Sequence, residues 1–350
     1  MKKLIMKIEP KINRQKLKQT ILEEYGFKIE KIKFIPKGDV GLSFVAQRKE
    51  KKKLFIKIYP PTRSAKISIQ NLDFSLGVCY DFYTKCSIKN ISFPLLTKTG
   101  ELKINFESNP LAIFNFIEGK NQDNGKLSNK ELVKVSELLA SIHKNSNKIE
   151  LKKVPIEKFN IGFKDELING INILEQKKRL SNKYKIKLAK LLIPMKNEII
   201  SLLEKTVKLG KSIRLKESDF VLCHTDPIPQ NLIINKNHDV FLIDWDGVKL
   251  APKEHDLWFY LWDNPILFLT SYKNIYESLT LDKEVILFYF YFRILEDLTY
   301  WVYTILNENI EGKQNKSDLR EVESYCLERI ENIDKYKNKI STIIIDYENH

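Results

Sequence analysis

The chain has 350 residues, 43% hydrophobic and 30% charged, with a formal net charge of +14. That length exceeds a typical single core and suits two lobes, and the four cysteines (Cys79, Cys86, Cys223, Cys326) form no C-x-x-C pair, which argues against a zinc site or a disulfide framework. The opening Met-Lys-Lys-Leu-Ile-Met run is too short for a signal peptide, and Asp263, Pro265, Arg293, Glu296 and Asp297 interrupt the aromatic stretches 257–272 and 285–306, so a cytoplasmic protein with no membrane partner is expected.

Leu17, Ile21 and Leu22 at helical spacing predict a helix over 14–25, ended near Gly26. The period then changes to two, and 28–35, 42–47 and 54–59 read as three strands. Between the first two lies Pro36-Lys-Gly-Asp-Val-Gly41, in which Gly38 and Gly41 fit an ordinary hairpin turn. The Lys49 to Lys53 run has no interleaved aromatics, so the basic excess does not describe a nucleic-acid groove. Lys57 is a lone cation in Phe55-Ile-Lys-Ile-Tyr59, and strand alternation favours pointing it to solvent. A helix is expected over 65–85; it holds Asp73 and Asp81 but no Glu.

Residues 94–104 carry Thr-Gly turn chemistry and read as a hairpin, followed by the apolar strand Leu111-Ala-Ile-Phe-Asn-Phe-Ile-Glu-Gly119. Val135, Leu138, Leu139 and Ile142 place an amphipathic helix over 132–144, in which His143 reads as a packed or capping residue. Residues 157–210 are helical and polar, with few sharp features.

The most informative stretch is Phe220-Val-Leu-Cys-His-Thr-Asp-Pro-Ile-Pro-Gln-Asn-Leu-Ile-Ile-Asn235, followed by Val240-Phe-Leu-Ile-Asp-Trp-Asp246. Two β-branched runs, 231–235 and 240–244, flank Lys-Asn-His-Asp turn chemistry and predict a hairpin. His224, Asp226 and Asn231 fall at one end and Asp244 at the other. Asp and Asn are also common turn residues, yet phosphoryl transfer needs this set: one carboxylate to orient the attacking hydroxyl, and a carboxylate plus an amide oxygen for Mg²⁺. The Asp-x-x-x-x-Asn spacing matches the kinase catalytic-loop pattern.

With the tail Leu242-Ile-Asp-Trp-Asp-Gly-Val-Lys-Leu-Ala-Pro-Lys-Glu-His-Asp-Leu-Trp258, the segment resembles the Brenner motif of the aminoglycoside phosphotransferases, a kinase-like family that includes choline kinases, and within it the branch acting on spectinomycin. The resemblance implies an α+β, bilobal protein-kinase-like fold. Residues 1–117 would form a small nucleotide-binding lobe with an antiparallel sheet and a helix, and 118–350 a larger, mostly helical catalytic and substrate-binding lobe with the catalytic-loop hairpin.

By the same resemblance, ATP and Mg²⁺ are the expected cofactors. Asp226 is the catalytic carboxylate, with His224 orienting its loop by hydrogen bonds; Asn231 and Asp244 are the metal ligands; Lys57 pairs with the α- and β-phosphates beneath Gly38 and Gly41. Asp73, or failing it Asp81, would hold Lys57 in place of the absent helix Glu. The backbone of Asn115, Phe116 and Ile117 would read adenine, the other reading of that stretch being a plain core strand. Asp256 would brace the loop. The family commonly has His and Gly where Ile228 and Gln230 stand, and Pro227 and Pro229 predict a stiffer loop than usual.

Residues 253–350 hold 18 Asp and Glu against 11 Lys and Arg, net −7, which leaves +21 on the first 252. On the helix expected over 287–306, Arg293, Glu296, Asp297 and Tyr300 form one stripe, either a surface ion pair or a carboxylate wall that makes Glu296 and Asp297 ligands of a cationic substrate. The expected acceptor is a small cationic molecule, an aminocyclitol or aminoglycoside antibiotic such as spectinomycin, acted on by a monomer or homodimer. Choline, a sugar or homoserine are alternative acceptors. A kinase-like structural protein of spore-coat type is the reading from another class.

Overall fold

The computed structural model describes residues 9, 11–36, 40–62, 65–122, 125–150, 153–176, 180, 182–309 and 312–349. In chain order the elements begin with α1 (Arg14–Tyr25), β1 (Ile29–Ile35), β2 (Leu42–Arg48), β3 (Lys53–Ile58), α2 (Lys66–Thr84), β4 (Ile104–Phe106), β5 (Asn109–Asn115), β6 (Lys120–Asn121) and α3 (Asn129–Lys144). Next come α4 (Lys164–Glu175), α5 (Lys183–Leu192), α6 (Lys196–Ser212), β7 (Val221–Cys223), β8 (Leu232–Ile234), β9 (Val240–Leu242) and β10 (Lys249–Ala251). The last are α7 (Glu254–Leu257), α8 (Pro265–Tyr276), α9 (Lys283–Tyr303), α10 (Gly312–Glu321), α11 (Glu328–Glu331) and α12 (Ile333–Glu348).

Contacts divide the chain into two compact units. One comprises the chain up to Ile156 with Val221–Asp256 and Thr270–Ser278; the other comprises Glu157–Phe220, Leu257–Leu269 and the chain from Leu279 on. In the first, five antiparallel strands in the order β1-β2-β3-β5-β4 form a sheet. α1 starts where the Asn13 side chain accepts the Lys16 amide and stops at Gly26, whose φ of 74° an L residue adopts only at a cost. Leu17, Ile21 and Tyr25 pack it on Ile32, Phe44, Ile56 and Ile113 in one apolar core. Burying such side chains is worth roughly 1.5–3 kcal/mol each.

The turn at Thr97–Gly100 forms as expected, closed by Thr97 N–H to Glu101 O (2.9 Å). The strand pair after it lies elsewhere, however: β4 pairs with β5 through Glu107 and Ser108, both at positive φ. Two adjacent non-Gly residues in the left-handed region carry no sequence signature as strong as Thr-Gly.

The hairpin is β8 and β9, with Leu232 opposite Leu242, and β6 adds a third strand. The Asn235 side-chain oxygen accepts the Asn237 and Asp239 amides and so builds the turn. Gly119 is required just before β6, since a Cβ there would lie 2.6 Å from the Ile234 carbonyl oxygen. α3 begins with a capping box between Ser128 and Glu131.

The second unit is helical among the described residues. Its α9 is apolar nearly all round, with Phe288, Tyr289, Phe290 and Tyr291 buried in succession, and Phe159 packs edge-on against Phe288 at 5.3 Å. No helix among the described residues is long and apolar enough to cross a membrane. All four cysteines are free.

Candidate active site

β7 ends at Cys223, and the next two amides are captured by one buried carboxylate. His224 N–H donates to Asp256 Oδ2 (2.8 Å) and Thr225 N–H to Oδ1 (2.7 Å). His143 Nε2 lies 3.0 Å from the same Oδ2, and its Nδ1 lies 2.7 Å from the Tyr272 hydroxyl. A carboxylate accepts, so Nε2 carries the proton and Nδ1 takes the tyrosine's. Burial pushes the Asp256 carboxyl up, but the His143 hydrogen bond and nearby histidines outweigh it and hold the group below the usual carboxylate range. Thr225 turns at φ 75°, which sends the chain into the loop.

His224 is wholly buried and edge-on to Trp245 at 4.9 Å. Its Nε2 donates to Ile243 O (3.0 Å), and its Nδ1 accepts the Asp226 amide (3.3 Å). One imidazole thus ties the loop to the far strand of the hairpin. Beyond it, Ile228 is extended (ψ 157°), as a residue before proline prefers, and Pro229–Asn231 forms a single 3₁₀ turn.

Asn231 closes the loop. Its Nδ2 donates to both the Asp226 carbonyl and Asp226 Oδ2, each at 2.9 Å. Those two bonds fix the amide's orientation and turn Oδ1 away from Asp226.

Asp244 follows β9 with φ 68°, a left-handed geometry that short polar Asp tolerates. Its Oδ1 lies 2.6 Å from Lys57 Nζ, and Asp246 Oδ2 lies 2.7 Å from the same nitrogen. Lys57 therefore does not face solvent; it is buried on β3, opposite Ser43 and Ala112. Burial opposes its charge, yet the two carboxylates more than offset that and hold its pKa well above the usual value. Burial pushes the Asp246 carboxyl up, against the pull of Lys57. Gly41 packs directly on this lysine, where a Cβ would come within 2.9 Å of its Cε and Cγ; Gly38 lies outside the described residues.

The expected partner of Lys57 is corrected. Asp73 is 83% exposed and bonds Lys103 (2.8 Å), while Asp81 bonds Lys85 (2.7 Å). The residue that sequence reasoning missed is Asp246. A second carboxylate at Asp-x-Asp spacing in Ile-Asp-Trp-Asp was the available signal, but nothing local says that it turns inward.

Asn115 ends β5. Its N–H donates to Phe93 O (3.2 Å) and its side-chain oxygen accepts the Phe93 amide (2.7 Å), so its donor is committed to structure. Phe116 and Ile117 follow the end of β5. In the second unit, Arg293 Nε donates to Asp297 Oδ2 (2.9 Å), with Glu296 at 4.0 Å. Within the stripe Arg293 is thus paired most closely with Asp297, and Glu296 lies at the edge of ion-pair reach.

Residues 89–284 match the profile of the Phosphotransferase enzyme family. The chain belongs to that family. This small-molecule phosphotransferase matches no curated protein sequence. Among solved structures it resembles spectinomycin phosphotransferase in complex with ADP and spectinomycin, 21% identical over 97% of this chain and 100% of that one, with a TM-score of 0.73. It also resembles an aminoglycoside phosphotransferase of Alicyclobacillus acidocaldarius, 13% identical over 98% of each chain at 0.60. A third likeness is to choline kinase LicA of Streptococcus pneumoniae, 15% identical over 91% of this chain and 99% of that one, at 0.54. At these identities what is shared is the kinase-like fold, here the antiparallel sheet followed by the hairpin and the helical remainder of the phosphotransferase.

Proposed function

We propose that the protein transfers the γ-phosphoryl group of ATP, with Mg²⁺, to a hydroxyl of a small cationic acceptor, of which an aminocyclitol or aminoglycoside antibiotic such as spectinomycin is the best candidate. The observation that carries this reading is the meeting of Lys57, on the third strand, with Asp244, 187 residues later, at 2.6 Å. That meeting supports a reading in which Lys57 binds phosphate and Asp244 the metal, both close to the residues that follow the Asp226–Asn231 loop.

The donor set suits a hard cation. With Nδ2 occupied by Asp226, Asn231 can offer an oxygen, and the side chain of Asp244 is 40% exposed. Asn231 and Asp244 would hold Mg²⁺, whose contribution there is to neutralise charge on the β- and γ-phosphates. Asp226 orients the acceptor hydroxyl and takes its proton, while Asn231 keeps that carboxylate aimed. His224 and Asp256 hold the loop and touch no substrate. Lys57 fixes the α- and β-phosphates, and the backbone of Phe116 and Ile117 reads the adenine edge. In functional terms residues 1–117 serve as the nucleotide lobe and 118–350 as the catalytic and acceptor lobe.

Supporting ATP and the acceptor, the most similar of the three structures was solved with ADP and spectinomycin. Choline kinases among the similar folds support choline as a second acceptor, also a cation. The net negative charge of residues 253–350 supports a cation over a neutral sugar, with Glu296 more exposed than Asp297 on α9. The test is nucleotide consumption with ATP and GTP, with Mg²⁺ or EDTA, across spectinomycin, aminoglycosides, choline, homoserine and neutral sugars. Turnover of a cation that needs Mg²⁺ is expected; turnover with sugars alone overturns the acceptor assignment, and none with any acceptor overturns the activity.

A further inference from the structure

Lys57 meets two carboxylates, and the proposed chemistry employs only Asp244. The two differ in setting. The Asp244 side chain is 40% exposed, whereas that of Asp246 is 15% exposed, with its second oxygen 3.4 Å from the hydroxyl of fully buried Tyr59. Lys57 Nζ also lies 5.1 Å from the Tyr59 ring centre. α2 offers no alternative, since its buried face carries Ser68, Leu72, Ser75, Leu76, Cys79 and Phe82, and its Asp73 turns out to Lys103.

We propose that Asp246 is the positioning residue of the nucleotide site, the standing counter-ion of Lys57 that does the work a helix carboxylate would otherwise do. The inference rests on the nucleotide-binding reading above and deepens it. A lysine ammonium has three donors. If Asp244 turns to a divalent cation, a buried Lys57 keeps one donor on Asp246, which offsets its charge and fixes its direction, and aims the others at phosphate oxygens. Because Asp246 follows β9, the catalytic hairpin itself sets the lysine, and the placement of α2 does not.

The test is calorimetric titration of the full chain with ADP, in EDTA and in Mg²⁺, for the native protein, Asp246→Asn, Asp246→Glu, Asp244→Asn, Lys57→Met and the double variant Lys57→Met/Asp246→Asn. In EDTA, Asp246→Asn is expected to weaken ADP about tenfold, worth roughly 1.4 kcal/mol. Asp246→Glu should recover part of that loss, Asp244→Asn should differ by losing the gain in ADP affinity that Mg²⁺ gives, and the double variant should bind no worse than Lys57→Met, because Asp246 acts through Lys57. Losses that add in the double variant, or a loss on Asp246→Asn confined to Mg²⁺, overturn the inference, the second by making Asp246 a metal ligand. If Asp246→Asn does not fold, the charge-balanced double variant against Lys57→Met decides the same point. A native protein that binds no ADP overturns the nucleotide reading and this inference with it; native binding left unchanged by Asp246→Asn overturns this inference alone.

Discussion

The side-chain amide of Asn231 grips Asp226 twice, at its carbonyl and at its carboxylate, each at 2.9 Å. One residue therefore sets both the loop's shape and the direction of the carboxylate, across a stretch that holds two prolines.

Asp226→Asn should keep that geometry, because an amide oxygen can still accept from Asn231, while removing the base. Turnover is expected to fall about a hundredfold or more with nucleotide affinity unchanged, measured by steady-state kinetics beside calorimetry. Turnover within about tenfold of the native value would reject Asp226 as the base.

Asp244→Ala should act on binding. Lys57 keeps Asp246, so the fold survives, but the gain in nucleotide affinity on adding Mg²⁺ should vanish. A Mg²⁺ effect equal to that of the native protein would remove Asp244 from the metal site.

Asp256→Ala should act on stability. It strands the His224 and Thr225 amides and His143 in a dry interior, a loss of roughly 3–5 kcal/mol, read by urea unfolding. Because its folded pKa is depressed, Asp256 stabilises fully above the unfolded carboxylate value of about 3.9, and that share is lost as pH falls through the lower folded value. Asp256→Asn should therefore flatten the stability profile below about pH 4, and an unchanged acid limb would show that the pair carries no linkage.

The acceptor prediction concerns charge. If the acceptor is a cation, its KM should rise with ionic strength, as exposed charges are screened within about 8–10 Å, while the KM for MgATP changes less. Reversing Glu296 and Asp297 to lysine should raise acceptor KM, and Glu296→Lys alone should account for most of the rise, since Asp297 is already held by Arg293. A salt-independent acceptor KM would leave the charge asymmetry without a role.

What the sequence determined by itself was local. The helix ending at Gly26, the strands around Phe44 and Ile56, the hairpin with its Asn235–Asp239 turn and the extended Ile228 follow from periodicity, turn residues and proline sterics, all of which act within a few positions along the chain. The Asp226–Asn231 pair was legible for the same reason, its partners being five residues apart. What only the tertiary structure decided was which groups meet across distance. Lys57 finds Asp244 and Asp246 at separations of 187 and 189 residues, His143 finds Asp256 and Tyr272, and Asn115 spends its donor on Phe93. In a strand, polar alternation pointed Lys57 to water, yet two carboxylates, the half-exposed Asp244 and the more deeply set Asp246, outweigh the cost of desolvating one ammonium, and that balance exists only once the hairpin and β3 are packed together.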